Sequence, residues 1–304
     1  MKEPAANAGA ALPPRDEPAA ADAGAAPRTL LQTLLLPVTD PTSATLLPAL
    51  AVLAVPMSSR TTPAEAAAAF FWMGAVPCAF FYAAALVFYL LDTLPPPAWR
   101  APRKFQGAAA LRDASRGAYA RVLLVSLRSW FVGLCFVALL CRSVAPALGA
   151  PPASAPWRPL DFACQLPLYV LAVDACFYIT HRALHSRLLY APIHRLHHSF
   201  PAPFALAAVY AHPFEHLFSN VLSISLGPLL CRAHPVSAAL WGCLASFSTL
   251  NSHSGFSFGH ISEAHDWHHR YGNECFGAGQ MMDYFLGTSA RFRAHAKEQR
   301  AKSA

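Results

Sequence analysis

The sequence predicts an all-α fold: an integral membrane helical bundle with a histidine-rich cap on the cytosolic side. Three observations lead to this prediction. Hydrophobic residues make up 55% of the 304 residues and charged residues only 13%, whereas about a quarter of a soluble domain is charged. Several uncharged stretches approach or exceed the length of about 20 residues that crosses a bilayer. Of the 14 histidines, all but His295 fall between His181 and His269, at the ends of such stretches.

The N-terminal half divides into a tail and a membrane region. Residues 1–28 are rich in alanine and proline and carry both signs of charge, which predicts a disordered tail. Residues 29–159 are expected to hold the N-terminal membrane helices and a basic cytosolic loop. Within them, 41–59 is uncharged but contains three prolines, so it either spans the membrane or enters it part-way. Residues 66–91 are uncharged throughout and predict a transmembrane helix.

The basic residues set the expected topology. Residues 94–121 form a polar loop with six basic residues and one acidic residue, Asp113, which places the loop on the cytosolic side. The stretch 122–147 then crosses outward, and 160–180 returns the chain to the cytosol with His181 at its end. This alternation predicts a multi-pass protein.

Two further apolar stretches, 217–231 and 235–250, are each short for a full span. As a hairpin they leave His216 and His253 on the same side, so every histidine group is expected at the cytosolic membrane edge. Residues 291–304 form a basic tail.

Composition excludes several other classes of protein. The net charge is +7, but the basic residues lie in loops between apolar stretches, as membrane topology requires, so we predict no nucleic-acid partner. The eight cysteines form no C-x-x-C pair and are interpreted as small hydrophobic residues. No glycine fingerprint for a flavin or nicotinamide and no haem-binding H-P-G-G stretch is present.

The spacing of the histidines indicates a metal site. His181 and His185 are four residues apart and share a helix face. The same spacings recur in 194–198, 212–216 and 265–269, so each group can offer two or three ring nitrogens to one centre. Neutral imidazole binds iron, zinc, copper and nickel, and eleven clustered imidazoles suit two metals better than one four-coordinate zinc.

Two alternatives to a di-metal cap stay open at this stage. A histidine-rich cytosolic cluster can be a zinc store or a pH sensor. The segment "HPFEH", residues 212–216, also matches the H-x-x-E-H pattern of some zinc peptidases, which would use Glu215 and three ligands and leave the other histidines idle.

The ordered histidine motifs resemble the fatty acid hydroxylase / sterol desaturase superfamily of membrane di-iron enzymes. The resemblance covers residues 160–290, which we take as the catalytic domain. The motifs that carry it are "DACFYITHRALH" (174–185), "HRLHHS" (194–199), "HPFEH" (212–216), "NSHSGF" (251–256), "HDWHH" (265–269) and "MMDYFLGT" (281–288). Within the superfamily they look most like C4-methylsterol oxidases and the related fatty acid hydroxylase domain-containing proteins.

The resemblance implies eleven metal ligands: His181, His185, His194, His197, His198, His212, His216, His253, His265, His268 and His269. One position departs from some members, which supply an H-x-x-x-H pair before the last cluster. Here residue 249 is Thr249, so His253 stands alone, and either another histidine replaces the missing ligand or water does. His260 is a spare, whereas His234 and His295 are interpreted as ordinary hydrogen-bonded residues.

Three acidic residues are predicted to support the ligands from outside. Asp174 lies seven residues before His181, two helical turns away on the same face, and is expected to hold the second ring N–H of a ligand. Asp266 and Asp283 are similar candidates, with an ordinary polar contact at a helix end as the alternative. For Tyr178 and Arg182 we expect lipid-edge packing and headgroup contact.

The resemblance also implies a function. It is that of a membrane-bound di-iron oxygenase that uses O₂ to oxidise a C–H bond of a membrane lipid, most closely a 4-methylsterol, with zinc as a possible substitute for iron. The alternatives are a fatty-acyl or sphingolipid hydroxylase or desaturase, and a non-catalytic membrane scaffold that retains the fold. The implied electron donors are cytochrome b5 and its reductase, and the implied location is the endoplasmic reticulum membrane, with the active site facing the cytosol.

Overall fold

The computed structural model describes residues 55–94, 104, 106, 116–256 and 260–303. Within these ranges all helices and turns agree with the predicted all-α class, and no strand forms there; an isolated β-bridge joins Lys104 to Phe256. The predictions for the tail 1–28 and for most of 41–59 fall outside the described residues.

Helix α1 consists of Pro63–Phe70, a π-helical turn at Phe71–Ala75, and Val76–Thr93. It begins at a capping box. The Thr62 hydroxyl accepts from the Glu65 amide, and the Glu65 carboxylate accepts from the Thr62 amide. This arrangement satisfies two of the amide groups that a helix start leaves unpaired, so α1 begins three residues before the apolar stretch does.

Helix α2 consists of Arg116–Leu139, a π-helical turn at Leu140–Val144, and Ala145–Ala147. It starts inside the segment that we predicted as a polar loop, 94–121, and this boundary is corrected. The reason is packing: Tyr119 is buried, and its ring packs edge to face with Tyr89 of α1 and at a tilt against Phe204. A buried aromatic residue in the first turn stabilises the helix beyond what its charged neighbours suggest.

Helix α3, Pro159–Leu184, completes the set of long apolar helices. Among the described residues three helical segments are long and apolar enough to span a membrane: Pro63–Thr93, Gly117–Ala147 and Pro159–Leu184. Leu86, Leu124 and Leu171, one on each helix, are more than half exposed. Outward-facing leucines on spanning helices are expected to contact lipid.

The predicted hairpin also forms. Helix α4 consists of Pro213–Glu215, a π-helical segment at His216–Val221, and Leu222–Leu230, and α5 is Pro235–His253. Helix α4 packs closely against α3, because a Cβ at Gly227 would lie 2.6 Å from the Tyr169 Cα. Small residues at such crossings allow two helix backbones to approach.

The remaining elements surround the C-terminal ends of α3 and α5 and form the cap. They are two 3₁₀ segments, His194–Ser199 and Ala205–Val209, and three helices, α6 at His260–Tyr271, α7 at Met281–Phe285 and α8 at Ala290–Ser303. The predicted basic tail is therefore helical over most of its length.

A buried ion pair ties the membrane helices to the cap. The Lys104 ammonium lies 2.5 Å from the Asp92 carboxylate at the end of α1, and both side chains are almost fully buried. Lys104 also donates to the Ser254 carbonyl, directly after His253, and Tyr119 donates to Asp92. In the sequence Lys104 is one of the six basic residues of the predicted polar loop 94–121, whereas in the structure its side chain is buried beside Asp92.

We expect Lys104→Met to destabilise the protein strongly, because it leaves the Asp92 carboxylate buried without its cation. Breaking a buried pair in this way costs about 3–5 kcal/mol, which corresponds to a fall of roughly 5–8 °C in Tm for a protein of this size. The measurement is thermal unfolding of the purified protein in detergent.

The matched control is Arg158→Met, because Arg158 and Asp161 form an exposed pair 3.7 Å apart and such pairs contribute little. Equal Tm values for Lys104→Met and Arg158→Met would contradict a stabilising role for the buried pair.

Candidate metal centre

Nine histidine side chains converge in the cap and form two groups, in each of which the potential ligand atoms lie within 4.8 Å of one another. The five-histidine group contains His181, His185, His194, His198 and His268. The four-histidine group contains His197, His253, His265 and His269. Nine of the eleven ligands that the sequence predicted are therefore brought together.

In the five-histidine group the Nε2 atoms face one another. The Nε2 atom of His194 lies 3.1 Å from that of His181, 2.9 Å from that of His185 and 3.0 Å from that of His198. The Nε2 atom of His268 lies 3.0 Å from that of His185 and 3.2 Å from that of His198. Five ring nitrogens thus surround one point.

These spacings fit a metal ion with right-angled ligands. Two nitrogens about 2.1 Å from a metal lie about 3.0 Å apart when they subtend a right angle, and about 3.4 Å apart in a tetrahedron. The distances of 2.9–3.2 Å match the right angle. Five nitrogens are also one more than a tetrahedral zinc site uses.

Hydrogen bonds on the far side of the rings fix which nitrogen faces the centre. The Nδ1 atoms of His181 and His268 lie 2.8 Å from the Phe276 carbonyl and 2.7 Å from the Glu274 carbonyl. A carbonyl only accepts, so each Nδ1 carries the proton and each Nε2 keeps its lone pair. Backbone carbonyls often orient metal-binding histidines in this way.

The four-histidine group is built on the same plan. The Nε2 atom of His253 lies 3.3 Å from that of His197 and 3.0 Å from that of His265, and its Nδ1 atom lies 2.9 Å from the Thr249 carbonyl. Thr249 therefore supports this group through its backbone carbonyl, which orients the His253 ring. No described histidine replaces the missing ligand, so this group has one nitrogen fewer than the other.

The two groups are adjacent. The ring centroids of His194 and His197 are 5.5 Å apart, and those of His265 and His268 are 5.7 Å apart, each pair stacked across the boundary between the groups. The sequential pair His197 and His198 is divided between the groups. The segment that contains them is 3₁₀-helical rather than α-helical, so consecutive side chains diverge by about 120°.

Burial keeps these imidazoles neutral. Burial, reinforced by the surrounding imidazoles, lowers the pKa of His185, His194 and His265 far below the ordinary value. The same causes lower the pKa of the remaining cap histidines outside the spanning helices: His197, His198, His268 and His269. Metal binding requires the neutral ring, so the lowered pKa values favour the protonation state that binds a cation.

His212 and His216, which the sequence predicted as ligands, lie outside both groups in the structure. The His212 Nδ1 atom accepts from the Phe214 amide and caps the start of α4. The His216 ring lies against α2, where its Nε2 atom would be 3.1 Å from a Cβ at Gly133. A capping histidine uses the nitrogen lone pair for the helix amide, and α4 directs His216 away from the cap.

The residue between them, Glu215, has a contact that the sequence did not reveal. Its Oε1 atom lies 2.9 Å from the Nδ1 atom of His194, and the carboxyl group is buried. Burial raises the pKa of Glu215 well above the ordinary value. The outer-sphere carboxyl expected of Asp174 is thus supplied by Glu215, and the H-x-x-E-H spacing that suggested a peptidase was the signal for it.

Asp174 and Asp283 act on the backbone instead of on a ligand ring, which corrects their predicted role. Asp174 accepts from the amides of Gly279 and Met282. Asp283 accepts from the amides of Phe276 and Gly277 at 2.9 and 2.6 Å. Together they hold the loop whose carbonyls orient His181 and His268, so their effect on the centre is indirect.

Two other predicted contacts differ in the structure. The Asp266 carboxylate accepts from the Gln106 side chain rather than from a ring, and burial raises its pKa to about 7. Tyr178 is buried rather than lipid-facing, and its hydroxyl accepts from Arg182 at 2.6 Å. His260, the predicted spare, begins α6.

A cavity of about 300 Å³ adjoins both groups. Its lining includes His181 of the five-histidine group and three members of the four-histidine group: His197, His253 and His265. Away from the histidines the lining is largely apolar and includes Val170 and Leu244. Both of those residues are exposed on the outer surface of the helices, so an apolar molecule can approach the histidines from the lipid side.

Comparisons with known proteins agree with this site. Residues 166–288 match the family model described as fatty acid hydroxylase. The chain is 37% identical to human fatty acid hydroxylase domain-containing protein 2 over 134 residues, which are 43% of this chain and 40% of that protein. It is 39% identical to fatty acid hydroxylase ahd1 of Mycosarcoma maydis over 131 residues, 42% of this chain and 34% of that protein.

A third relative is methylsterol monooxygenase 2-2 of Arabidopsis thaliana, 33% identical over 152 residues, 45% of this chain and 56% of that protein. The chain spans less than half the length of the human and fungal relatives. No solved structure matches it. The resemblance of the C-terminal half to the fatty acid hydroxylase / sterol desaturase superfamily is confirmed by these matches.

We expect His212→Asn to retain the metal content of the wild type, because asparagine preserves the helix cap and His212 is not a ligand. His198→Ala should lose the metal of the five-histidine group. The measurement is metal content per protein by mass spectrometry after chelator dialysis. If His212→Asn loses as much metal as His198→Ala, the corrected ligand set fails.

We expect Gly277→Ala to weaken metal retention, because its Cβ would lie 2.8 Å from the Asp174 and Asp283 carboxylates and displace the loop that orients His181. Loss of such outer support lowers metal affinity roughly 10–100-fold. The readout is metal retained against a graded chelator. Gly117→Ala is the control, since its Cβ meets nothing within 4 Å; equal retention by both variants would refute the role of this loop.

Proposed function

We propose, from the match of residues 166–288 to the fatty acid hydroxylase family model, that this protein is a membrane-bound di-iron oxygenase that oxidises a C–H bond of a lipid. One observation carries the proposal: nine neutral imidazoles in two adjacent groups adjoin an apolar cavity that lipid can approach. A zinc store or a pH sensor needs no such cavity, and a peptidase would need His212 and His216 as ligands.

The five-histidine group would suit iron better than zinc. Structural zinc is almost always tetrahedral with four ligands, whereas the five-histidine group has right-angled spacings. When bound there, two iron ions would supply the reduction of O₂ that breaking an unactivated C–H bond requires, which side chains cannot supply alone. Zinc remains the substitute that an all-nitrogen site also accepts.

The protein's own residues hold the substrate and exclude water. Phe177 and Trp241 line the cavity between α3 and α5, and Val170 and Leu244 lie at its lipid side. The histidine end is buried under the loop that contains Gly277 and Gly279. A membrane lipid can therefore place one carbon at the histidines while the rest of the molecule stays in apolar surroundings.

A sterol is the substrate that we propose, and C4-methyl oxidation in sterol biosynthesis is the reaction. Methylsterol monooxygenases are among the relatives, and the histidine motifs resemble those of C4-methylsterol oxidases. The alternative is a fatty-acyl or sphingolipid hydroxylase or desaturase, supported by the relative named fatty acid hydroxylase. These alternatives predict different lipid changes.

Electrons must come from another protein, and we propose cytochrome b5 and its reductase at the cytosolic face of the endoplasmic reticulum. Helix α8 offers exposed basic side chains, including Arg291, Arg293 and Lys297. An acidic donor would be attracted to such a surface.

We expect cells that lack this protein to accumulate 4-methylsterols, and we expect the wild type, but not a His197→Ala/His198→Ala variant, to reverse this. The double variant removes one ligand from each group, so both metals are lost. The measurement is sterol and fatty-acid profiling by mass spectrometry. His295→Ala is the matched control, because His295 lies outside both groups and stacks on Trp267.

A changed hydroxy-fatty-acid pool with normal sterols would move the substrate to acyl chains. Unchanged lipids, with the double variant supporting cell function as well as the wild type, would refute the enzyme and favour a scaffold.

A further inference from the structure

The histidine end of the cavity contains two polar groups whose partners are missing. Glu215 and Ser219 both line the cavity and are at least 96% buried. The Glu215 Oε2 atom and the Ser219 Oγ atom have no hydrogen-bond partner among the described residues. Leaving a buried polar group unpaired costs about 1–3 kcal/mol, so an occupant of the cavity that pairs with both would be stabilised.

The π-helical segment of α4 explains why these side chains share the cavity wall. It covers His216–Val221 and widens the turn between Glu215 and Ser219, and π-helical turns are often found at functional sites. Ser223, one turn further along α4, is also buried and unpaired. It does not belong to the cavity lining, and it therefore provides a reference for the loss of a buried hydroxyl.

The unpaired atoms define the chemistry of their partner. A carboxyl group can pair with a hydroxyl group in either of its protonation states, and a serine hydroxyl both donates and accepts. A hydroxyl group on the ligand can therefore pair with Glu215 and with Ser219, donating to one and accepting from the other. A hydrocarbon could pair with neither.

We propose that Glu215 and Ser219 form a subsite that binds the hydroxyl group of a lipid alcohol and places a neighbouring carbon at the histidines. The inference rests on the proposed oxygenase function and adds that the substrate has a hydroxyl group near the carbon that is oxidised. Glu215 and Ser219 line the same cavity as His197, His253 and His265, so a hydroxyl at this subsite shares the cavity with the histidines. The oxidised carbon is then close to the hydroxyl-bearing carbon.

This requirement separates sterols from unsubstituted acyl chains. In a 4-methylsterol the carbon that carries the methyl group is bonded to the carbon that carries the hydroxyl group, so both fit one end of the cavity. A methylene in the middle of a saturated acyl chain has no hydroxyl nearby. The subsite therefore favours the sterol over a saturated acyl chain.

The test is equilibrium binding to the full-length, zinc-loaded protein in nanodiscs, where no turnover occurs. The probes are a radiolabelled 4-methylsterol and the same sterol without its 3-hydroxyl group. We expect the wild type to bind the alcohol roughly tenfold more tightly, the ratio that one well-paired buried hydrogen bond provides. Ser219→Ala should reduce this preference to about threefold or less, and Ser223→Ala should leave it unchanged.

Other outcomes would overturn the subsite. Equal binding of both sterols by the wild type, or an unchanged preference in Ser219→Ala, would refute it while oxidation of sterols in cells could still support the proposed function. An equal loss in Ser219→Ala and Ser223→Ala would show a general effect on α4. Binding of a saturated fatty acid but of neither sterol would reject both the subsite and the sterol substrate.

Discussion

The cap depends on one constraint: ring nitrogens of nine imidazoles face one another in two groups, within 4.8 Å of one another in each. Without a cation these nitrogens repel, and burial prevents protonation from relieving the repulsion, since it lowers the pKa of rings such as His265 and His268. The fold must therefore hold the rings from outside. A bound metal then gains affinity because the protein has already ordered its ligands.

Backbone carbonyl groups hold the rings in their orientations. Carbonyl groups of Glu274 and Phe276 accept from ring nitrogens, and their loop is fixed by Asp174 and Asp283. Asp174 belongs to α3, the helix that also carries His181. Helix α3 thus acts on the candidate metal centre in two ways. It contains His181, and its Asp174 fixes the loop whose carbonyl orients the His181 ring. The stability of the membrane bundle is therefore linked to the geometry of the candidate centre.

The sequence predicted the parts of the structure that follow from periodicity and composition. Apolar stretches located α1, α3 and the α4–α5 hairpin, and histidine spacing located nine converging ligands. Three-dimensional packing decided the rest. Spacing could not distinguish His212, whose nitrogen caps a helix, from His253, whose ring is held by a carbonyl. It also could not reveal that Lys104 is buried, because the Asp92 carboxylate that pairs with it lies in a different predicted element.

Two dipeptides set the relation between the two metal groups. His197 and His198 go to different groups, and so do His268 and His269. Consecutive Cα atoms are always about 3.8 Å apart, so each dipeptide limits how far the groups can separate. The i, i+3 and i, i+4 spacings bring the rings to the cap, whereas the two pairs of adjacent histidines keep the two groups close to each other. A site for two metals at a fixed separation would thereby be specified by two pairs of adjacent histidines, with the cavity beside them.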